Sequence, residues 1–456
     1  MSQRAPRPDE AGGAQPLGEP WSSRAALNIA LNATLNATLN AALSAVLLAG
    51  CTASPLPAPS DTPRPAFPTT QTAPRPSASA TASPTPSPGL TGPQPPPLPW
   101  AQATESPQPL AATPETATLL SLCGTADAAL TDVARRNVER QVRGLDIFPS
   151  DELLFTFRAA GGPHPWPRAW SIDGDSLTDG ELSARFGAWV DGWRTFGQRR
   201  CGVARGTRAN GSEVVSVVGV DALADLAALP TTARLGQWLT VEGFFLVPVH
   251  EARLVLLGPR GAPRSVPATL YQNRVRSSFS VDQVGTWLVQ VLATVSTGPR
   301  PVLEAMVHVD ASPPVQFQRV AAPGEDAARG ASDDADAMMR MINAARAAEG
   351  QPPLARDAAL DALALQHAQA MSAARLVGHD VGHGDPAARL AAANYAARIA
   401  GENVATSDTP EHAHRAIWAS PSHRGNLLMG DYTRAGVGVV RDAHGRVWVA
   451  ELFAGG

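Results

Sequence analysis

Gly401-Glu402-Asn403-Val404-Ala405, Trp418-Ala419-Ser420-Pro421-Ser422-His423-Arg424-Gly425-Asn426-Leu427-Leu428 and Gly436-Val437-Gly438 follow one another near the C-terminus, behind Leu376-Val377-Gly378-His379-Asp380. The apolar spacing around them defines a domain. A helix is predicted over Asp334–Ala348, capped by Ser332 or Asp333, with Met338, Met341, Ile342 and Ala345 inward. Gly350 and Pro352-Pro353 end it. A second helix, Arg356–Ala374, places Leu360, Leu363, Ala364, His367, Ala370 and Met371 on one face. A glycine-rich loop then carries His379 and His383, and short helices are predicted at Pro386–Ala393 and Pro410–Ala419, before a loop over Ser420–Leu428. Two strands, Ala435–Arg441 and Arg446–Phe453, flank the turn Asp442-Ala443-His444-Gly445. The expected fold has helices on both sides of a small antiparallel sheet.

The order of these pieces resembles the bacterial branch of the CAP superfamily, named for cysteine-rich secretory proteins, antigen 5 and pathogenesis-related proteins. The resemblance covers roughly residues 333–456, and the domain is bounded at 332–456. It implies an α/β/α sandwich with a cleft lined by two His and two Glu. By motif match, His379 is the first His, Glu402 of Gly-Glu-Asn is one Glu, and His423 of Ser-Pro-Ser-His is the second His. The position after the Trp, where the family places its second Glu, holds Ser420, so the expected site has three members. Glu451 on the last strand is an alternative lining residue that no motif supports.

Two imidazoles and a carboxylate suit more than one chemistry. Neutral His nitrogens bind a divalent metal such as Zn, here at His379 and His423, with Glu402 as ligand or supporting partner. A His beside a Glu also serves as a general base. No short-spaced His-Glu-x-x-His motif supports the metal, and Ser420 and Ser422 lack the strand–turn–helix context of a serine nucleophile. A structural hydrogen-bond network is the third reading, and the three stay open here. His367 reads as a core or cleft-wall residue; His383, His412, His414 and His444 read as solvated. Trp418 reads as core, and Arg424 and Asn426 as loop-holding residues.

Upstream, the chain divides by composition. Residues 230–313 contain five apolar, partly alternating runs, Trp238–Val247, Ala252–Leu257, Leu270–Phe279, Thr286–Val295 and Val302–Val309, which predict an immunoglobulin-like β-sandwich. Residues 314–331 form a linker. Residues 118–229 predict a small α+β domain, with helices at Asp127–Val142 and Leu182–Phe196, the latter bearing Phe186, Trp189 and Trp193. A strand is expected at Glu152–Arg158 and a hairpin over Gly202–Asp221, turning at Ala209-Asn210-Gly211. This arrangement loosely echoes the C-terminal domain: it is either a degenerate duplicate without the His/Glu set or an unrelated fold. His164, in Pro163-His164-Pro165-Trp166, reads as a loop residue.

Residues 51–117 are dominated by Pro, Ser, Thr and Ala, which cannot bury enough surface to offset ordering entropy, so a disordered tether is expected. Before it, Leu48-Ala49-Gly50-Cys51 closes an apolar run and resembles a bacterial lipoprotein signal, which makes 1–50 a signal peptide and Cys51 the lipidated residue. The Asn of the four-residue repeat over 25–50 disfavours a permanent membrane span. Cys123 and Cys201 remain as an even pair in an exported chain and are expected to form a disulfide. All 37 basic residues are Arg, and a net charge of −4 gives no electrostatic case for nucleic acid.

The expectation is a multidomain envelope protein with two accessory domains before a CAP domain. It is held to the membrane by a lipid anchor, in the outer membrane of a two-membrane cell because Thr52 is not Asp. Its function is binding to a lipid, cell-wall component or protein. The alternatives are an envelope hydrolase using the His/Glu cleft and a structural envelope component.

Overall fold

The computed structural model describes residues 98–106 and 110–456. Cys51, the apolar run before it and most of the expected tether lie outside the described residues. None of the described helices is long and apolar enough to cross a membrane.

The expected tether ends earlier than residue 117. Strand β1 (Ala103–Thr104) pairs with Leu229–Pro230 in a separate two-stranded sheet, and helix α1 (Pro114–Cys123) belongs to the first domain. That domain continues with β2 (Thr125–Ala126), α2 (Ala128–Val142), α3 (Ser150–Ala159), β3 (Arg168–Gly174), α4 (Asp179–Asp191), β4 (Gln198–Thr207) and β5 (Glu213–Ala222). Asp127 caps α2 by accepting the Leu130 N–H at 2.9 Å, and Leu130, Val133, Ala134 and Val138 bury its inner face. The strand expected at Glu152–Arg158 is part of α3. Its apolar residues fall on both parities of a strand, whereas Leu153, Thr156 and Phe157 share one buried helical face, with Asp151 and Glu152 complementing the N-terminal dipole. The Trp helix ends at Asp191, short of the expected Phe196. Cys123 and Cys201 form a disulfide, with Cα atoms 6.2 Å apart, fastening α1 to β4.

The middle domain holds β6 (Ala224–Leu226), β7 (Leu229–Pro230), β8 (Thr232–Ala233), β9 (Trp238–Phe245), β10 (Glu251–Leu257), β11 (Arg264–Pro267), β12 (Thr269–Tyr271), β13 (Arg274–Ser280), β14 (Gly285–Val295) and β15 (Gly298–Val309). Five strands ordered β11-β10-β14-β15-β8 face four ordered β12-β13-β9-β6. Leu239, Val241 and Phe279 from one sheet share a core with Leu254, Val289 and Leu303 from the other. The run Leu270–Phe279, expected as one strand, is broken at Gln272, whose φ of 54° turns the chain between β12 and β13.

The C-terminal domain comprises α5 (Asp334–Ala348), β16 (Ala355–Arg356), α6 (Ala358–Ala374), α7 (Pro386–Ala392), β17 (Ile399–Ser407), α8 (Pro410–Ala419), α9 (Pro421–Leu427), β18 (Arg434–Arg441) and β19 (Val447–Gly455). The loop expected over Ser420–Leu428 is therefore mostly the short helix α9, started by Pro421 in its first turn. Strand order is β16-β18-β19-β17. β19 is buried along its whole length because both faces are covered. Trp448, Ala450, Leu452 and Ala454 meet α6, while Val447, Val449 and Phe453 pack with Met338 and Ile342 of α5 and Ile417 of α8. Gly436 and Gly438 let α6 lie directly on the sheet, since a Cβ at either would strike the backbone of Leu360 or Ala364.

The first and third domains share one topology. In each, a helix precedes a two-residue strand that pairs parallel to the penultimate strand, which pairs antiparallel with the last, which in turn pairs antiparallel with the strand following the central helices. Asp127 and Asp357 both cap the helix after the short strand, and their N–H groups bond to Cys201 O and Ala435 O. Aligned on that bond, Gly202 pairs with Val218, itself opposite Ala169; Gly436 pairs with Leu452, itself opposite Glu402. Ala169 thus occupies in the first domain the place of Glu402, and Asn137 occupies the place of His367.

Candidate functional site

Glu402 sits on β17 with its side chain on the α6 face of the sheet, as its opposite neighbour Leu452 does. It is buried, and both oxygens are engaged. Oε1 lies 2.9 Å from His379 Nδ1 and 3.6 Å from His367 Nε2, and Oε2 accepts from the Arg389 guanidinium at 2.5 Å. Burial by itself would raise this carboxyl. The hydrogen bond from His379 and the charges of His379, His367 and Arg389 outweigh it and hold the pKa below the usual range.

His379 is delivered by the loop after α6 and His423 by α9. They line one cavity of about 30 Å³ together with Val404, room for about one water molecule. Burial, then the neighbouring His379, pushes His423 down to about 3, so it is neutral at ordinary pH. His367 is pushed down to about 4 by burial, partly opposed by Glu402. Its Nε2 faces Gly378 O at 2.9 Å, an acceptor only, so Nε2 carries the proton and Nδ1 faces His383 Nε2 at 3.2 Å.

The roof of the cavity comes from the other two domains. The β14–β15 hairpin places Thr297 O where the N–H groups of His379 and Asp380 donate to it, at 3.0 and 3.3 Å. Next in the turn, Gly298 has φ of 96°, and a Cβ there would lie 2.9 Å from the His379 Cβ. Trp166 of the first domain closes the side, its ring 5.2 Å from the Arg300 guanidinium. Ser420, at the family's second Glu position, turns toward the sandwich: Gln290 Nε2 donates to Ser420 Oγ at 3.3 Å and to Glu304 Oε1 at 2.8 Å, and Ser422 N–H donates to Gln290 Oε1 at 3.1 Å. Glu304 in turn pairs with Arg158 of α3. One buried polar relay thus joins all three domains beside the cavity.

Glu451 lies on the opposite face of the sheet from Glu402, because adjacent residues of a strand point to opposite sides and Glu451 pairs with Asn403. It is fully buried, accepts from Asn403 Nδ2 at 3.0 Å, and burial, opposed by that bond, raises its pKa to about 7. It therefore does not line the cleft. His414, read as solvated, is buried with Nε2 against Pro323 O at 2.9 Å. Trp418 is partly exposed, with the Arg424 guanidinium 4.2 Å above its ring. Arg389 escaped the sequence reading. Its one signal was a lone charge in the Ala/Leu-rich helix Pro386–Ala392, where a buried face requires an acidic partner.

The donor set falls short of a zinc site. A zinc centre takes three or four protein ligands, but Glu402 has no free oxygen, which leaves His379 Nε2 and His423. No group of three or more His, Cys, Asp or Glu among the described residues could hold a metal ion. A larger open hollow of about 540 Å³ lies along the edge of β18, lined by Ala335, Leu365, Val437 and Val439 and rimmed by the pairs Arg356–Asp361 and Arg441–Asp334. It shares no lining residue with the His cavity.

The sequence model of the cysteine-rich secretory protein family (CAP) matches residues 339–452. No curated protein matches the chain. Among solved structures, an outer surface protein of Borrelia burgdorferi is similar at 19% identity and a TM-score of 0.26, over 27% of this chain and 93% of that one. An extracellular SCP-domain protein of Bacillus anthracis str. Ames is similar at 15% identity and 0.25, over 52% and 86%. A cysteine-rich secretory protein of Staphylococcus aureus subsp. aureus Mu50 is similar at 10% identity and 0.24, over 51% and 84%. The C-terminal domain of this chain is a CAP domain of the cysteine-rich secretory protein family.

Proposed function

We propose that this is an extracytoplasmic, lipid-anchored binding protein of the cell envelope, and that its CAP domain acts without turning over a substrate. The observation that carries this is the state of the His379–Glu402–His423 cluster. Its carboxylate is committed to Arg389 and His379, and its cavity is roofed by Thr297, Gly298 and Trp166 with space for about one water. A hydrolase needs a base with a free lone pair aimed at a substrate atom, whereas here the nitrogens left free, on His379 and His423, open only into a cavity too small to admit a substrate. The ligand is a lipid or a cell-wall component engaged outside this cavity. Anchoring rests on Leu48-Ala49-Gly50-Cys51. The shared topology, with Ala169 at the Glu402 position, supports reading the first domain as a degenerate copy of the CAP fold kept as a scaffold.

The test is to incubate the full chain with isolated peptidoglycan and with liposomes, following both co-sedimentation and release of reducing ends, amino groups or fatty acids. Co-sedimentation without release is expected. Time-dependent release that is lost in His423→Ala would establish the hydrolase instead. Membrane retention of Cys51→Ser would overturn the lipid anchor.

A further inference from the structure

We propose that the outer face of the sandwich's four-stranded sheet binds an acidic polysaccharide. Among the described residues four aromatic side chains are exposed, Trp166, Trp238, Phe244 and Tyr271, and the last three lie on this one face. Trp238 is 71% and Tyr271 70% exposed, so their ring faces are open to a ligand.

The register shows how they are set out. Tyr271 on β12 pairs with Arg274 on β13, which pairs with Phe244 on β9, so ring, guanidinium and ring form one row across three strands. Strand spacing puts the two rings roughly 10 Å apart, and Trp238 lies about 20 Å along β9 from Phe244. Between the rings are hydrogen-bonding groups: the Thr240 and Ser278 hydroxyls, 2.9 Å from each other, and the Arg276–Glu242 pair at 3.2 Å.

This pattern separates ligand classes. A protein partner seats its binding energy in a contiguous apolar centre depleted of charge. Here the rings stand apart with polar groups between them, which matches a linear glycan whose sugars offer apolar C–H faces to aromatic rings and hydroxyls to the groups between. Charge selects among glycans. Arg274 has no side-chain acceptor among the described residues, while Arg276 is matched by Glu242, so the face presents one free guanidinium between two stacking rings. A guanidinium fork takes a carboxylate in two parallel hydrogen bonds. The favoured ligand therefore carries a carboxylate on the sugar between the two stacked ones.

The experiment is affinity electrophoresis of the full chain through carboxymethylcellulose and hyaluronan, with hydroxyethylcellulose as the uncharged polymer on the same kind of backbone. Retardation by the acidic polymers is expected, weakened by about tenfold in Kd for each of Tyr271→Ala and Trp238→Ala, the loss of one aromatic anchor. Arg274→Gln should remove the preference for acidic over neutral polymer. These side chains are exposed, so unchanged melting of the variants verifies the fold. Absence of retardation by the acidic polymers, equal retardation by the neutral one, or undiminished binding by both aromatic variants overturns the proposal. So does a dimer in sedimentation velocity that Trp238→Ala dissolves, which would make the face a self-association surface. None of these residues touches His379, Glu402 or His423, so this outcome leaves the CAP-domain reading standing.

Discussion

At the scale of the residue, two buried acids on opposite faces of one sheet have opposite fates. Glu402 finds Arg389 and two imidazoles and stays ionised; Glu451 finds one amide and is raised to about 7. For Glu451 the folded pKa exceeds the unfolded one. Its contribution is therefore fully present below about 4.5 and lost as pH rises through about 7. Glu451→Gln keeps the shape and removes the ionisation, so it should melt later than the parent at pH 8, by on the order of a few kcal/mol, and about equally at pH 4.5. Equal melting at both pH values would show that Glu451 is ionised and solvated after all. The imidazoles act in the other direction. His423 and His367 fall to about 3 and about 4, so the stability they support is present above about 6.5 and drains away as pH falls toward those values. His367→Asn, the residue its counterpart position holds as Asn137, should flatten the acid side of a melting-temperature profile between about pH 6.5 and 4. A profile unchanged in slope would mean that His367 is not buried neutral.

At the scale of the element, the β14–β15 hairpin decides whether the His cavity is a cleft or a closed chamber. Its tip fits because Gly298 adopts φ of 96° and presents no Cβ to His379. Gly298→Val adds both a strained backbone conformation and a side chain aimed at the imidazole, and should cost about 1–3 kcal/mol. The expected result is a displaced hairpin, read by NMR as a rise of the His423 pKa from about 3 toward the ordinary imidazole range. If that pKa stays where it is, the roof is elsewhere. Four of the five helices of the CAP domain were legible from spacing, the first also from its cap; in the structure Asp333, Asp357 and Thr409 each accept a backbone N–H from the first turn that follows. The misread elements are those in which local pattern is ambiguous. Ser150–Ala159 carries apolar residues on every parity, and only packing against α2 chooses the helix. Pro421–Leu427 is too short for periodicity to show.

At the scale of the whole molecule, the three described domains are joined by the relay from Arg158 through Glu304 and Gln290 to Ser420 and Ser422. Gln290→Leu leaves Glu304 and the Ser420 loop short of partners and should destabilise by about 1–3 kcal/mol, with the 314–331 connection becoming more open to protease. Calorimetry and limited proteolysis check both; unchanged curves would mean that the relay contributes no coupling. Reduction of Cys123–Cys201, which closes a separation of 78 residues, should cost on the order of 4 kcal/mol, mostly in the first domain.

The sequence by itself determined the CAP domain, four of its five helices and its closing strands, pointed through its motifs to His379, Glu402 and His423, and anticipated the pairing of the two cysteines. These follow from patterns written in consecutive residues: caps, apolar spacing, ordered motifs and an even thiol count. Tertiary structure alone decided what the site can do. Arg389 reaches Glu402 on its strand from helix α7, Glu451 falls on the far face by strand parity, and Thr297, Gly298, Gln290 and Trp166 come from two other domains to roof and clamp the histidines. No local pattern records a contact between residues of different elements, whether 13 positions apart as Arg389 and Glu402 are or 132 as Gln290 and Ser422 are. Burial sets the ionisation of His423 and Glu451, and it exists only once the chain has folded: Glu451 is covered within its own domain, His423 where the domains meet.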